Sequence, residues 1–384
     1  MPGAVSFCAQ PAYTRFMSAP SFDIFLVVAP GLEPLLADEA RAHGFEVRET
    51  IPGGVTIVGG WPDVWRANLL LRGATRVLVR LASFRAMHLA QLDKRSKKLP
   101  WTDWLRADMP VRVEATCRRS RIYHNKAAAQ RIEGALSTAK IPLSKDATLV
   151  LKVRIDDDLC TISVDTSGES LHKRGLKEQV NKAPMRETLA ALFLRACRYN
   201  GTEPVYDPMC GSGTFVIEAA EKAAGLAPGR VRSFAFENLA SFEPDTWQRM
   251  RDSVVPQQTS LKFTGSDRDQ GAVRMSEANA ARAGVSNITQ FTCAPIGEAV
   301  PPEGPPGLVI VNPPYGGRIG NKAPLHGLYA AFGNRITEAF KGWRVGLVTS
   351  EPGLARATGL KWKDTGPIVD HGGTKVRLYQ TGPL

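Results

Sequence analysis

Pro204-Val205-Tyr206-Asp207-Pro208-Met209-Cys210-Gly211-Ser212-Gly213-Thr214 is the stretch whose reading decides the fold. An apolar run ends in an acid and a proline, two glycines follow, and Thr214–Ala224 continues with helical composition. This is strand, turn, helix, the unit from which parallel sheets are wound. At the carboxyl end of such a strand the turn residues must be small if a nucleoside-type ligand is to touch backbone, and Gly211 and Gly213 meet that condition. A G-x-G turn with a helix opening behind it directs backbone N–H groups toward the ligand. A dinucleotide site and a merely tight turn fit the same residues.

Outward from that loop the alternation continues. Candidate strands Leu261–Ser266, Ile288–Phe291, Leu308–Val311 and Val345–Thr349 alternate with helices Gly271–Ala283 and Leu328–Phe340. Upstream, Leu189, Leu192, Phe193 and Ala196 form an i, i+3, i+4, i+7 stripe. The expectation is a mostly parallel sheet with helices on both faces, closed by a hairpin involving Trp362 and Val376–Tyr379. Before Pro184 the pattern differs. Strand Phe22–Ala29, a helix through Leu32–Ala40 stopped by Gly44, a hairpin about Pro52-Gly53-Gly54, helix Trp61–Leu70 and strand Thr75–Leu81 make an α+β module at 21–80. Strand Val111–Thr116, helix Lys126–Ala139 and a hairpin around Asp156-Asp157-Asp158 make a second module at 81–175, leaving 176–384 for the α/β domain.

Net charge is +12, and its placement is informative. Residues 81–190 hold 21 Lys/Arg against 13 Asp/Glu, grouped as Lys94-Arg95-Ser96-Lys97-Lys98, Arg118-Arg119-Ser120-Arg121 and Lys173-Arg174. Such grouping is the footprint expected for a phosphate backbone, although a solvated basic face has the same composition. No apolar stretch approaches the ~20 residues needed to span a bilayer. Six scattered cysteines without a C-x-x-C pair or a cysteine–histidine cluster predict neither a disulfide framework nor a metal, and fit a reducing cytoplasm. The first twenty residues contain one arginine and no acid, unlike a transit peptide, and Met17 is a candidate start alongside Met1.

Two further segments carry chemistry. Asp267 follows a strand where a carboxylate can accept both hydroxyls of a ribose; alternatively Asp267-Arg268-Asp269 caps the helix from Gly271. Asn312-Pro313-Pro314-Tyr315 follows another strand and offers a carboxamide, carbonyls and an aromatic ring. A conjugated exocyclic amine is a poor nucleophile. Accepting its N–H bonds with the Asn312 side chain and the Pro313 carbonyl stabilises positive charge as nitrogen attacks. The Tyr315 ring can stack on a base that has left its helix. With the glycine loop upstream, this points to methyl transfer from S-adenosyl-L-methionine to a base nitrogen.

In Leu171-His172-Lys173-Arg174-Gly175, Ala183-Pro184-Met185-Arg186-Glu187-Thr188-Leu189-Ala190, the Asp207 stretch and Asn312–Gly320, residues 22–384 resemble the bacterial 23S ribosomal RNA guanine-N2 methyltransferases of the RlmL type. The resemblance implies a Rossmann-like class I methyltransferase domain preceded by ferredoxin-like and THUMP RNA-binding modules. It implies cofactor contacts at Asp207, Cys210, Gly211, Gly213 and Asp267, and target-amine contacts at Asn312, Pro313 and Tyr315. Lys97, Lys98, Arg118, Arg119 and Arg121 are the expected RNA contacts of the basic module, with Arg318 beside the catalytic loop as a phosphate ligand or a surface ion pair. Two departures stand out. Thr292-Cys293-Ala294-Pro295 lacks the acid that usually holds the cofactor adenine, and with the sequence ending at Leu384 the second fused methyltransferase activity of some relatives is expected to be absent. Competing readings are guanine-N2 methylation of transfer RNA, adenine-N6 methylation of nucleic acid, and a non-catalytic RNA-binding protein.

Overall fold

A computed structural model describes residues 21–176, 185–315 and 323–384. Its first half is built on one seven-stranded sheet. β1 (Phe22–Val27), α1 (Glu33–Ala42), the β2–β3 hairpin (Glu46–Ile51, Gly54–Gly59), α2 (Trp61–Leu70) and β4 (Arg76–Arg85) come first. They are followed by α3 (Leu89–Ser96), α4 (Trp101–Trp104), β5 (Val111–Arg118), α5 (Asn125–Thr138), β6 (Leu149–Asp156) and β7 (Leu159–Asp165). Strand order is β2-β3-β1-β4-β7-β6-β5. β4 runs through the 80/81 position and pairs with β1 on one side and β7 on the other, so the two modules share a continuous ladder.

The second half contains α6 (Glu187–Ala196), β8 (Val205–Asp207), α7 (Thr214–Ala223), α8 (Pro244–Asp252), β9 (Phe263–Asp267), α9 (Gln270–Ala283) and β10 (Thr289–Cys293). β11 (Leu308–Val311), α10 (Ala323–Ala339), β12 (Arg344–Thr349), α11 (Pro352–Ala357), β13 (Asp364–Thr365), β14 (Val369–His371) and β15 (Thr374–Gln380) complete it. Sheet order is β10-β9-β8-β11-β12-β15-β13, parallel from β10 to β12, with β15 antiparallel at the far side. β11 is buried along its whole length, as expected of a strand covered on both faces. The order reverses between β8 and β11, and ligands of open parallel sheets sit at the carboxyl ends of strands at such a switch point.

The 224–262 connection between α7 and β9 packs under the N-terminal half. Phe236 N–H donates to Thr166 O (3.0 Å), Ala240 N–H to Trp104 O (3.1 Å) and Gly229 N–H to Leu69 O (3.0 Å). The Trp65 ring lies against Phe236 and Phe242. Among the described residues, no helix is long and apolar enough to cross a membrane.

Candidate active site

β8 lies between β9 and β11, so three loops read separately in the sequence meet at neighbouring strand ends: the glycine loop, Asp267 and Asn312–Tyr315. The glycine loop is tightly held. Gly211 and Gly213 adopt left-handed φ values of 56° and 79°. Cys210 N–H donates to Ser266 O (3.0 Å), and Gly211 N–H donates to Asp267 Oδ2 (3.0 Å). From α9, Ser276 Oγ donates to Gly211 O (3.0 Å) and Asn279 Nδ2 to Ser212 O (3.0 Å). Ser276 and Asn279 are buried, and sequence reasoning missed both. Their signal was available: two polar residues three apart on the inward face of an alanine-rich helix.

The two glycines answer different demands. A Cβ on Gly213 would lie 3.1 Å from Ile217 Cδ1 and from Ser276 Cβ, whereas a Cβ on Gly211 would meet nothing within 4 Å. Gly213 thus serves packing, and Gly211 faces open space. Asp267 uses one oxygen for Gly211 N–H and the other for Asp269 N–H (3.0 Å), which fixes its carboxylate and leaves lone pairs for two hydroxyls. The helix cap expected of Asp267-Arg268-Asp269 is made by Asp269, whose side chain accepts from Gly271 N–H (2.8 Å). Asp207 is buried and accepts from Met209 N–H (3.1 Å); burial and the neighbouring Asp267 push its carboxyl well above the usual range. Burial and Asp207 likewise keep the Cys210 thiol protonated, unlike a nucleophilic cysteine. At the end of β10, Ala294 N–H donates to Asp267 O (3.0 Å) and Cys293 is exposed.

Asn312 Oδ1 is buried with no hydrogen-bond partner among the described residues. A buried carboxamide oxygen without a donor costs free energy, about 1–3 kcal/mol, so natural sites retain one where a ligand supplies the hydrogen. Pro314 O accepts from Tyr329 Oη (3.3 Å), a hydroxyl also 3.2 Å from Thr349 Oγ1. This ties down the second proline carbonyl. Tyr315 is half-buried, and its hydroxyl shares a hydrogen bond with His371 Nδ1 (2.8 Å). Arg318 lies outside the described residues.

The expected RNA residues are distant in sequence from this site and lie in the N-terminal half, at the ends of α3 and β5. Lys97 and Lys98 are exposed at the C-terminal end of α3, where cations also complement the helix dipole, and Lys97 pairs with Asp93 (2.8 Å). Arg118, the last residue of β5, and Arg119 and Arg121, on the loop after it, are exposed. Arg119 pairs with Asp156 (2.8 Å) and Arg121 lies 3.9 Å from Asp158, both acids of the β6–β7 turn. On the same loop Tyr123 is 74% exposed and its ring lies 4.4 Å from that of His124. Among the described residues no three His, Cys, Asp or Glu side chains form a metal-ligand group.

Residues 174–370 match the family described as UPF0020, RMKL-like, methyltransferase domain, and residues 23–78 match the RlmL ferredoxin-like domain. The chain belongs to the RMKL-like methyltransferase family. This RMKL-like chain is 36% identical over 362 residues to the ribosomal RNA large subunit methyltransferase K/L of Syntrophotalea carbinolica, covering 88% of itself and 50% of that protein. It spans about half the length of the curated K/L relatives it matches. A Synechocystis protein assigned as an RNA methyltransferase is 28% identical and is covered over 98% of its length. Among solved structures, SMU.472, assigned as a methyltransferase and complexed with SAH, superposes with a TM-score of 0.86 at 26% identity, over 96% of this chain and 99% of that one. A predicted N6-adenine-specific DNA methylase from Listeria monocytogenes reaches the same TM-score at 28% identity, over 95% and 97%. The Rossmann-like methyltransferase and ferredoxin-like architecture read from the sequence is therefore the fold of this RMKL-like protein.

Proposed function

We propose that the chain methylates the exocyclic N2 amine of a guanine in large-subunit ribosomal RNA, using S-adenosylmethionine. The observation that carries this reading is the unpartnered, buried Asn312 Oδ1 at the end of β11, next to the glycine loop of β8. Gly211 and Asp267 fit the cofactor: one leaves open space, the other presents a fixed carboxylate to a ribose. S-adenosylmethionine supplies the methyl group when bound. The chain's own residues position the amine. Asn312 Oδ1 and Pro313 O accept its two N–H bonds, which stabilises the charge that grows on nitrogen in the transition state. Tyr315 stacks on the extruded base. No base is needed before attack, because the proton leaves once nitrogen is cationic. The 81–175 unit acts as a THUMP-type grip on RNA through Lys97, Lys98, Arg118, Arg119 and Arg121, and the names of the K/L relatives support ribosomal RNA as the substrate.

Asn312→Ala should reduce methyl transfer by roughly 10²–10³-fold, the scale for losing one preorganised transition-state partner, with cofactor affinity nearly unchanged. Mass spectrometry of nucleosides from ribosomal and transfer RNA of a deletion strain should show loss of N2-methylguanosine from the large-subunit RNA. Loss confined to transfer RNA would move the substrate. A second reading, adenine-N6 methylation, is favoured by the name of the Listeria neighbour. The same Asn-Pro-Pro-Tyr chemistry serves that amine, and a missing N6-methyladenosine would select it. Appearance of 5-methylcytidine as the product would reject the mechanism.

A further inference from the structure

We infer that His371 is a positioning residue for methyl transfer, acting through Tyr315 to hold the ring that receives the target base. The inference rests on the proposed role of Tyr315. Pro313 and Pro314 restrict the backbone leading to Tyr315, but proline rings do nothing for the tyrosine's own side-chain torsions. A ring free to change rotamer presents its face to an incoming base only part of the time. Its hydroxyl, to which stacking assigns no task, is 2.8 Å from His371 Nδ1. A hydrogen bond at the far end of the ring is the economical way to fix both torsions.

The mount for that bond is rigid. β14 and β15 are joined by Gly372-Gly373, with φ of 61° and 84°, the left-handed pair that a two-residue hairpin turn demands. His371 faces Thr374 at the base of the turn, and Val369 faces Val376 two residues back, both valines fully buried. His371 is itself only 9% exposed. The Tyr315 ring packs against both hydrophobic clusters of the chain, so the histidine completes a cradle that already limits the ring. Together these contacts settle the cost of ordering the ring before RNA arrives, and preorganisation of that kind enters the rate.

A histidine that merely satisfies its own buried nitrogen predicts a different outcome from one that positions the ring. The test uses the full chain, an unmodified 23S ribosomal RNA transcript and S-adenosylmethionine. Tyr315→Phe removes the bond without disturbing the core, and His371→Ala removes it from the other side. Each should lower kcat/KM for RNA by roughly three- to tenfold, the scale of one neutral hydrogen bond. Cofactor affinity should stay unchanged. The double variant should be no worse than the poorer single, since both delete one interaction. His371→Asn, which returns a polar atom near the Nδ1 position, should recover most of the activity. Tyr315→Phe with wild-type kinetics, or single effects that multiply in the double variant, would overturn the inference. Tyr315→Ala separates the two layers. If it is harmless, the stacking role of Tyr315 fails. If it is damaging while Tyr315→Phe is normal, only the role of His371 fails.

Discussion

Asp207 sits at the edge of the glycine loop in a state that ordinary carboxylates avoid. Burial and Asp267 raise its pKa well above the unfolded carboxylate value near 3.9. The folded chain therefore holds this proton more tightly than the unfolded chain. The associated stability is complete below the unfolded pKa and is lost as pH rises toward the folded pKa. Asp207→Asn keeps an acceptor for Met209 N–H and removes the titration, so it should raise Tm more at pH 8 than at pH 4. An equal shift at both values, read by thermal unfolding, would mean the carboxyl titrates normally. The neighbouring glycines should divide by assay. Gly213→Ala forces a Cβ to 3.1 Å from Ile217 and Ser276 at positive φ and should mainly lower Tm. Gly211→Ala points into open space, so beyond its own positive-φ strain its larger effect should be on S-adenosylmethionine binding, measured by calorimetry.

At the scale of elements, the basic loop after β5 behaves as a mixed surface. Among the described residues no ion pair engages Arg118 or Lys98, whereas Arg119 and Arg121 face Asp156 and Asp158. Neutralising Arg118 or Lys98 should flatten the salt dependence of RNA binding by roughly 0.7–0.9 log unit for each phosphate that no longer has a cation against it. Neutralising Arg119 or Arg121 should do less, because phosphate must first displace an aspartate. Tyr123→Ala should weaken binding to unpaired RNA by about 1–3 kcal/mol while leaving the salt slope intact, since stacking releases no counterions. Salt titrations of the variants decide this; an unaltered slope throughout would mark the loop as a solvated face. These elements differ in how far sequence revealed them. Trp61–Leu70 and Leu308–Val311 are the helix and strand their patterns predict, because burial on one face or on both writes a period into the residues. Asn312 and Asp267 could be singled out as candidates because strand–loop chemistry is local. His371 could not, since its partner lies 56 residues away and a His-Gly-Gly turn announces only a hairpin. Nor could the 224–262 segment be read. Phe234, Phe236, Phe242 and Trp247 follow no single period, because they are buried against one another across turns and against Trp65 of the N-terminal half.

Across the whole molecule, the N-terminal half and the methyltransferase domain are joined through buried charge as well as apolar packing. Arg72, from the N-terminal half, donates through Nη1 to Glu218 Oε2 of α7 (2.9 Å), and Arg174 Nε donates to Glu218 Oε1 (3.1 Å). Arg230 pairs with Glu221 at 2.6 Å, and Glu39 accepts from the backbone N–H of Arg72 (2.8 Å) and Gly73 (2.9 Å). Glu218 and Glu221 are each 2% exposed. Glu218 is thus a pairing residue and not a base; Arg174 and Arg72 outweigh burial and hold its carboxyl below the usual range. A Cβ on Gly73 would come within 2.4 Å of Leu192 Cδ2 on α6, so the Leu192 side chain packs directly against the Gly73 backbone. One hydrophobic cluster runs from Ile24 to Leu378 across both. Breaking a buried ion pair by removing one partner costs about 3–5 kcal/mol, because the other charge is left stranded. Glu218→Ala should therefore lower Tm steeply, leaving Arg72 and Arg174 without their shared carboxylate. A 176–384 fragment should suffer more: it loses Arg72 and Arg174 together and exposes the apolar face that Trp65 covers. It should fail to unfold cooperatively and should bind S-adenosylmethionine far more weakly than the full chain. A fragment with a sharp thermal transition and full cofactor affinity would show that the methyltransferase domain does not need the N-terminal half to fold; the buried pairs imply that this half holds the domain in shape.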